Sequence, residues 1–241
     1  MKVVSGEVVD MDEGSGEQHH IGNMTEVERF TDNELNHLKI IYHGMANKAA
    51  LNHFRELRTK ILSKEKRKNF CCLVSSVSHG GGASFVSANL SAAFALDQTK
   101  SSLLIDCNLH DPSAQRLLPG DTELGLTDYL TNPNIRVSDI VHASGVPRLR
   151  VIPLCSHLES AAEYFSSERM KAFLREIRLR YHDRFIFIDA PQINTAESRI
   201  LAELADFSVL VVPYGKVTKQ MIHQAADVVG EEKLMGMIFN N

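Results

Sequence analysis

Six short apolar runs, at 73–77, 103–107, 149–154, 185–190, 209–214 and 235–239, are interleaved with helix-patterned stretches at 84–96, 168–181, 195–205 and 218–229. A strand with one wet face alternates apolar and polar residues, whereas a strand covered on both faces is apolar nearly throughout. Runs of the second kind, separated by segments that cross back over a sheet, predict a mostly parallel sheet with helices on both sides, a doubly wound α/β domain. Such sheets bind ligands in the crevice beyond the carboxyl ends of their strands. Segments 78–84, 106–108 and 189–191 are therefore the candidate site.

The chain has 241 residues, 44% of them hydrophobic, enough for a domain of this kind with a sizeable core. Residues 1–31 stand apart: Lys2 and Arg29 face seven acids, a net charge of −5 with almost no apolar periodicity, which predicts a largely disordered acidic tail. Residues 32–68 read as an N-terminal helical segment, with Leu35, Leu38, Ile41, Met45, Phe54, Leu57 and Ile61 at helical spacing, ending in the solvated basic connection 64–68. Residues 69–241 carry the α/β domain. Without the tail, the formal net charge of −4 becomes nearly neutral, which gives no field suited to a nucleic-acid backbone. Cys71, Cys72, Cys107 and Cys155 sit in or at the ends of apolar runs and predict buried, reduced packing in a cytoplasmic protein, not a disulfide framework or a metal site. His19 and His20 read as an incidental pair. No 18-residue apolar stretch and no leader pattern occurs, so a membrane link is expected only through a partner.

The stretch from Val77 to Ser84 follows the first apolar run and opens a helix-like segment, the order of a phosphate-binding loop. In such loops glycines let backbone N–H groups converge on an anion, and the helix N-terminus adds its dipole. A lysine reaches the terminal phosphates and a hydroxyl holds magnesium. Gly80, Gly81, Gly82 and Ser84 supply the cradle and the hydroxyl, but Ala83 stands where the lysine belongs. Taken alone, the three glycines are read as a plain strand-to-helix turn. Two more strands alter the balance, because Asp106, followed by Asn108 and His110, and Asp189 end apolar runs as magnesium and water-positioning acids do.

With these motifs in order, residues 50–240 resemble the cytoplasmic domain of bacterial tyrosine kinases, the family paired with polysaccharide co-polymerases in capsule and exopolysaccharide export. The likeness is greatest to the stand-alone, exosortase-associated branch. The family's Pro-Gly-Glu-Gly-Lys-Ser loop falls on residues 79–84, and its Ile-Asp-x-Asp-Leu-Arg-x-Pro motif falls on 105–112. Its Gly-Leu-Ser-Asp-Val-Leu segment is similar to 125–130, its Pro-Ala-Glu-Leu-Leu-Ser-Ser segment to 162–167, and residues 215–218 also have a counterpart. The resemblance implies a P-loop NTPase type of sheet with an N-terminal helical segment.

The departures fall on the chemistry. Ala83 replaces the lysine, Asn108 the second acid and His110 the arginine, while Asn52 replaces the glutamate of an oligomerisation helix that keeps Arg55 and Arg58. No tyrosine follows Tyr214, where the family carries the tyrosine tail it autophosphorylates. The expectation is a pseudokinase that binds an inner-membrane polysaccharide co-polymerase or a kinase paralogue. Asp106, Asn108 and Asp189 are then vestigial, and Gly80, Gly81, Gly82, Ala83 and Ser84 form a degenerate loop. No cofactor is expected beyond weak ATP or ADP, with magnesium on Ser84, Asp106 and Asp189 if it binds. Self-association would run through Arg55 and Arg58, and the protein would lie at the inner membrane through its partner. Two readings stay open. One is an active autokinase in which His79, Lys216 or Arg199 replaces the lysine; the other is a Min- or Par-type positioning ATPase, although Ser78 stands where that class has its signature lysine.

Overall fold

The computed structural model describes residues 28–67, 69–155, 161–180 and 184–241, so most of the expected acidic tail, with His19 and His20, lies outside the described residues. Seven strands form one sheet: β1 (Cys71–Ser76), β2 (Ser101–Asp106), β3 (His142–Ala143), β4 (Leu149–Ile152), β5 (Arg184–Asp189), β6 (Phe207–Pro213) and β7 (Leu234–Asn240). Their order is β3-β4-β2-β5-β1-β6-β7, parallel throughout except for β3, which runs antiparallel to β4. The predicted doubly wound α/β fold is therefore observed.

Both faces of the inner strands β1, β2, β5 and β6 are dry, as the unbroken apolar runs require, whereas the edge strand β7 is half-buried with Phe239 exposed. Cys72 and Val74 of β1 face a core shared with helix α3 (Ala83–Ala95), where Phe70, Phe94, Phe185, Phe187 and Phe207 interlock at ring distances of 4.8 to 6.0 Å. Aromatic pairs of this kind add about 0.5–1.5 kcal/mol each beyond simple burial. Cys71 and Leu73 face the opposite core, under α7 (Glu168–Arg180), α8 (Ala196–Leu204) and α9 (Lys219–Val229).

The N-terminal segment joins the first core. It contains α1 (Asp32–Leu38) and α2 (Lys48–Lys64), with Leu35, Ile40, Ile41, Leu51, Phe54 and Ile61 all buried. A capping box between Thr31 and Glu34 starts α1, and Lys39 in the left-handed region ends it. Asn89, buried in α3, pins the break: its Oδ1 accepts from the Ile41 amide at 2.9 Å and its Nδ2 donates to the Lys39 carbonyl at 3.0 Å. The basic connection is less free than its composition suggests, because Arg67 bridges Glu65 and Asp206, and Lys64 donates to the Met235 carbonyl.

Three short helices, α4 (Leu126–Thr131), α5 (Val137–Ile140) and α6 (Ala161–Ser166), and the two-residue β3 fill a region where the sequence showed no period. No helix among the described residues is long and apolar enough to cross a membrane.

Burial of all four cysteines is corrected in one place. Cys155 is exposed, three residues beyond the end of β4, at a positive φ of 65°. Burial raises the thiols of Cys71, Cys72 and Cys107, and partial burial with Asp128 nearby pushes Cys155 up to about 11. Native protein should thus take one iodoacetamide label, slowly at neutral pH because thiolate is the reactive form, and denatured protein four. Intact mass before and after labelling checks this, and a second label on native protein would contradict the packing.

Candidate functional site

The chain leaves β1 through a loop whose shape is set by glycine. Gly80 and Gly82 have φ of 64° and 88°, the left-handed region that glycine enters without steric cost. A Cβ on Gly81 would lie 2.7 Å from the Ser76 Cβ, and one on Gly82 would lie 2.2 Å from the Asn240 Nδ2. Asn240, at the end of β7, donates to the Gly81 carbonyl at 3.2 Å, and the Ser76 hydroxyl donates to the Ser78 carbonyl at 2.6 Å. The loop is therefore clamped from the sheet side. Gly82 is the N-cap of α3, and no side chain caps that helix, so its first N–H groups and its dipole remain available to an anion.

Beside the loop, Asp106 and Asp189 lie side by side in register on β2 and β5. Asp106 is fully engaged: Oδ1 accepts from the Asn108 amide at 3.0 Å, and Oδ2 accepts from the amides of Ser113 and Ala114 at 2.8 and 2.9 Å. Burial raises its pKa even so, against the pull of those three amides. Asp189 is 1% exposed and its Oδ1 has no hydrogen-bond partner among the described residues. Burial and then the Asp106 charge push its pKa well above the ordinary carboxylate range, while the Ser84 and Ser87 hydroxyls and the Arg116 charge favour ionisation. The Asn108 Nδ2 donates to the Ser84 hydroxyl at 3.3 Å. Loop, Ser84, Asn108 and both acids are thus brought together as predicted. A hard divalent cation takes oxygen ligands, and the Ser84 hydroxyl with the unpartnered Asp189 oxygen fits one.

Ala83 is the first residue of α3 and only 6% exposed. Of the basic groups expected as substitutes for the lysine, His79 lies in the loop and Lys216 just beyond β6, both exposed at this edge. Arg199 is corrected: it lines a cleft of about 660 Å³ with Glu203 and Glu231, before the amino ends of β6 and β7, at the far edge of the sheet. Sequence reasoning passed over Arg116, in the 3-10 turn Ala114–Leu117, and Asn240. Arg55 and Arg58, expected to serve self-association, have internal partners, Arg58 on the Ala93 carbonyl at 2.8 Å and Arg55 on His43.

A glycine loop between a buried strand and a helix, with two acids ending the neighbouring strands, defines the class as proteins of the P-loop NTPase fold. No family model matches the chain. Tyrosine-protein kinase YwqD of Bacillus subtilis is 32% identical over 202 residues, 82% of this chain and 84% of that protein. CpsD of Streptococcus agalactiae, also a tyrosine-protein kinase, is 27% identical over 192 residues, 78% of this chain and 82% of that one. The chain belongs to the bacterial tyrosine-protein kinase family. Among solved structures, the kinase domain of Escherichia coli tyrosine kinase ETK superposes with a TM-score of 0.74 over 90% of this chain and 82% of that one, at 18% identity. The cell division ATPase MinD of Pyrococcus furiosus gives 0.58 over 70% of each chain, at 19% identity. Both likenesses show the fold alone.

Proposed function

We propose that this chain is a kinase-fold protein of bacterial exopolysaccharide or capsule synthesis and export that binds a partner and transfers no phosphoryl group. Its partner is an inner-membrane polysaccharide co-polymerase or an active kinase paralogue, which holds it at the cytoplasmic side of that membrane. The observation that carries this reading is Ala83: where the family places a lysine, α3 begins with a buried methyl group.

A magnesium nucleotide, when bound, supplies the phosphoryl group for transfer, and Ser84 and Asp189 are the residues that would hold its cation. The chain's remaining groups are committed elsewhere. Asp106 spends both oxygens on loop amides, and Asn108 offers a neutral amide where the family has an acid. Without a cation to meet charge migrating onto the transferred group, the transition state loses more than the ground state does. Assembly through Arg55 and Arg58 would first have to release their bonds to His43 and Ala93.

Purified protein incubated with Mg-ATP should give no phosphotyrosine by mass spectrometry, with an active member of the family as control, and should co-purify with the co-polymerase or the paralogue. Phosphotyrosine formed by this chain alone would end the reading. It would favour the active autokinase instead, for which the unpartnered Asp189 oxygen is the supporting observation.

A further inference from the structure

We infer that Arg116 is the cation of this pocket, and that it lets the glycine loop hold the phosphate of a nucleotide without a lysine at the start of α3. This rests on the reading of the site as one that binds without transferring.

The placement of Arg116 follows from Asp106. By accepting from the Ser113 and Ala114 amides, that buried carboxylate lashes the start of the 3-10 turn to the carboxyl end of β2. Ala114 and Leu117 are buried, so they fix the turn, and Arg116 between them is exposed. Its charge still reaches Asp189 on the floor of the site, where it favours the carboxylate. Arg116 thus sits two residues past the Ala114 amide that Asp106 holds, in the turn that borders the pocket.

Its donors are also unspent. Arg58, Arg67, Arg148, Arg169 and Arg178 each donate to a carbonyl or a carboxylate. Arg116 makes no hydrogen bond or ion pair among the described residues. A guanidinium presents several N–H groups in a planar fork matched to phosphate oxygens. The end of the sheet that this turn borders also holds the uncapped start of α3, the glycine loop, and the one buried carboxylate oxygen without a partner among the described residues. An anion on the loop and a cation on Asp189 would together satisfy what the protein leaves open, which is the charge pattern of a magnesium-bound phosphate.

Titration calorimetry tests this on the full chain with three probes: Mg-ATP, Mg-ADP and inorganic phosphate. Arg116→Ala should weaken binding about ten- to a hundredfold, as expected for loss of a charge-assisted hydrogen bond, and Arg116→Lys should retain most of the affinity. Lys216→Ala, outside the glycine loop, should leave it unchanged. Dependence on Arg116 in the nucleotide arms supports the inference as stated. Dependence with inorganic phosphate alone overturns the nucleotide, and makes free phosphate the ligand. Equal affinity of wild type and Arg116→Ala, or no binding of any probe by wild type, overturns the inference. Because Arg116 is exposed, the variants should melt with wild type in the absence of ligand. Failure here leaves the non-transferring reading intact, since that falls only if phosphotyrosine forms.

Discussion

In the Ala83→Lys variant, Mg-ATP should bind about ten- to a hundredfold more tightly than in wild type, and still no phosphotyrosine should form. Ala83 opens α3 directly after Gly82, so a longer side chain in its place starts at the floor of the loop. The alanine methyl is nearly enclosed, but lysine can bury its stem and carry its ammonium out to the mouth, as long basic side chains do. There it would meet Asp106 and Asp189, two buried acids whose pKa values are both raised. A new cation favours their ionised forms, which also suits magnesium. Phosphate affinity rises because the anion gains a charge-assisted partner on a helix N-terminus that has no side-chain cap. Transfer does not follow, because Asn108 still gives an amide to Ser84 and His110 still stands at the position of the family's arginine. Calorimetry and phosphopeptide mass spectrometry check the two halves separately. Unchanged affinity would mean that the missing lysine is not what limits binding, and phosphotyrosine in this single variant would show the remaining machinery intact. The introduced lysine and Arg116 would serve one phosphate, so a double-mutant cycle built from Ala83→Lys and Arg116→Ala should show the two effects coupled and not additive.

Much of this architecture was written in runs of residues that any sheet buried on both faces must have. β1, β2, β5, β6 and β7 were legible because each is apolar on both parities, and the acids of the site because each ends such a run at a predictable depth. The loop was legible as three glycines, but its meaning as a phosphate site owed more to the family resemblance than to composition. What sequence alone does not contain is anything decided across the sheet. That β5 enters between β1 and β2, so that Asp189 meets Asp106, is a choice of register made by long-range packing. Nothing in the sequence marks Arg116, since its place depends on the Ser113 and Ala114 amides closing on Asp106. Nothing in the sequence marks Asn240 either, yet it touches a loop 159 positions earlier. Helical spacing from Leu35 to Ile61 could not show the break at Lys39, which a buried amide from α3 holds open. Cys155 followed its apolar neighbours in sequence but not in space.

The stability of this protein should fall as pH rises above the unfolded carboxylate range, and Asp189→Asn should lessen that fall. Asp189 is nearly inaccessible, has one oxygen without a partner among the described residues, and shares its register with another acid. Burial, then the charge of Asp106, raises its pKa well above normal. The folded state therefore keeps a proton that the unfolded chain releases near about pH 3.9, and between that pH and the raised value folding takes up a proton. Stability from this group is complete below the unfolded pKa and is lost as pH rises through the window, by up to about 1.4 kcal/mol per pH unit. Glu65, held down by Arg67, and Asp97, held down by Thr99, act in the opposite sense, their stability fading as pH falls, but both are common to wild type and variant and cancel in the difference. An asparagine keeps the volume, carries no charge, and relieves Asp106 of its like-charged neighbour. Urea midpoints from about pH 4 to 8 should therefore show the variant gaining on wild type steadily with pH, the curves converging at the acid end. A difference that does not change with pH would mean that Asp189 ionises in the folded protein as readily as in the unfolded chain. The charge at the site would then be balanced by a neighbour closer than Arg116, and the pocket would already be neutralised before any ligand arrived.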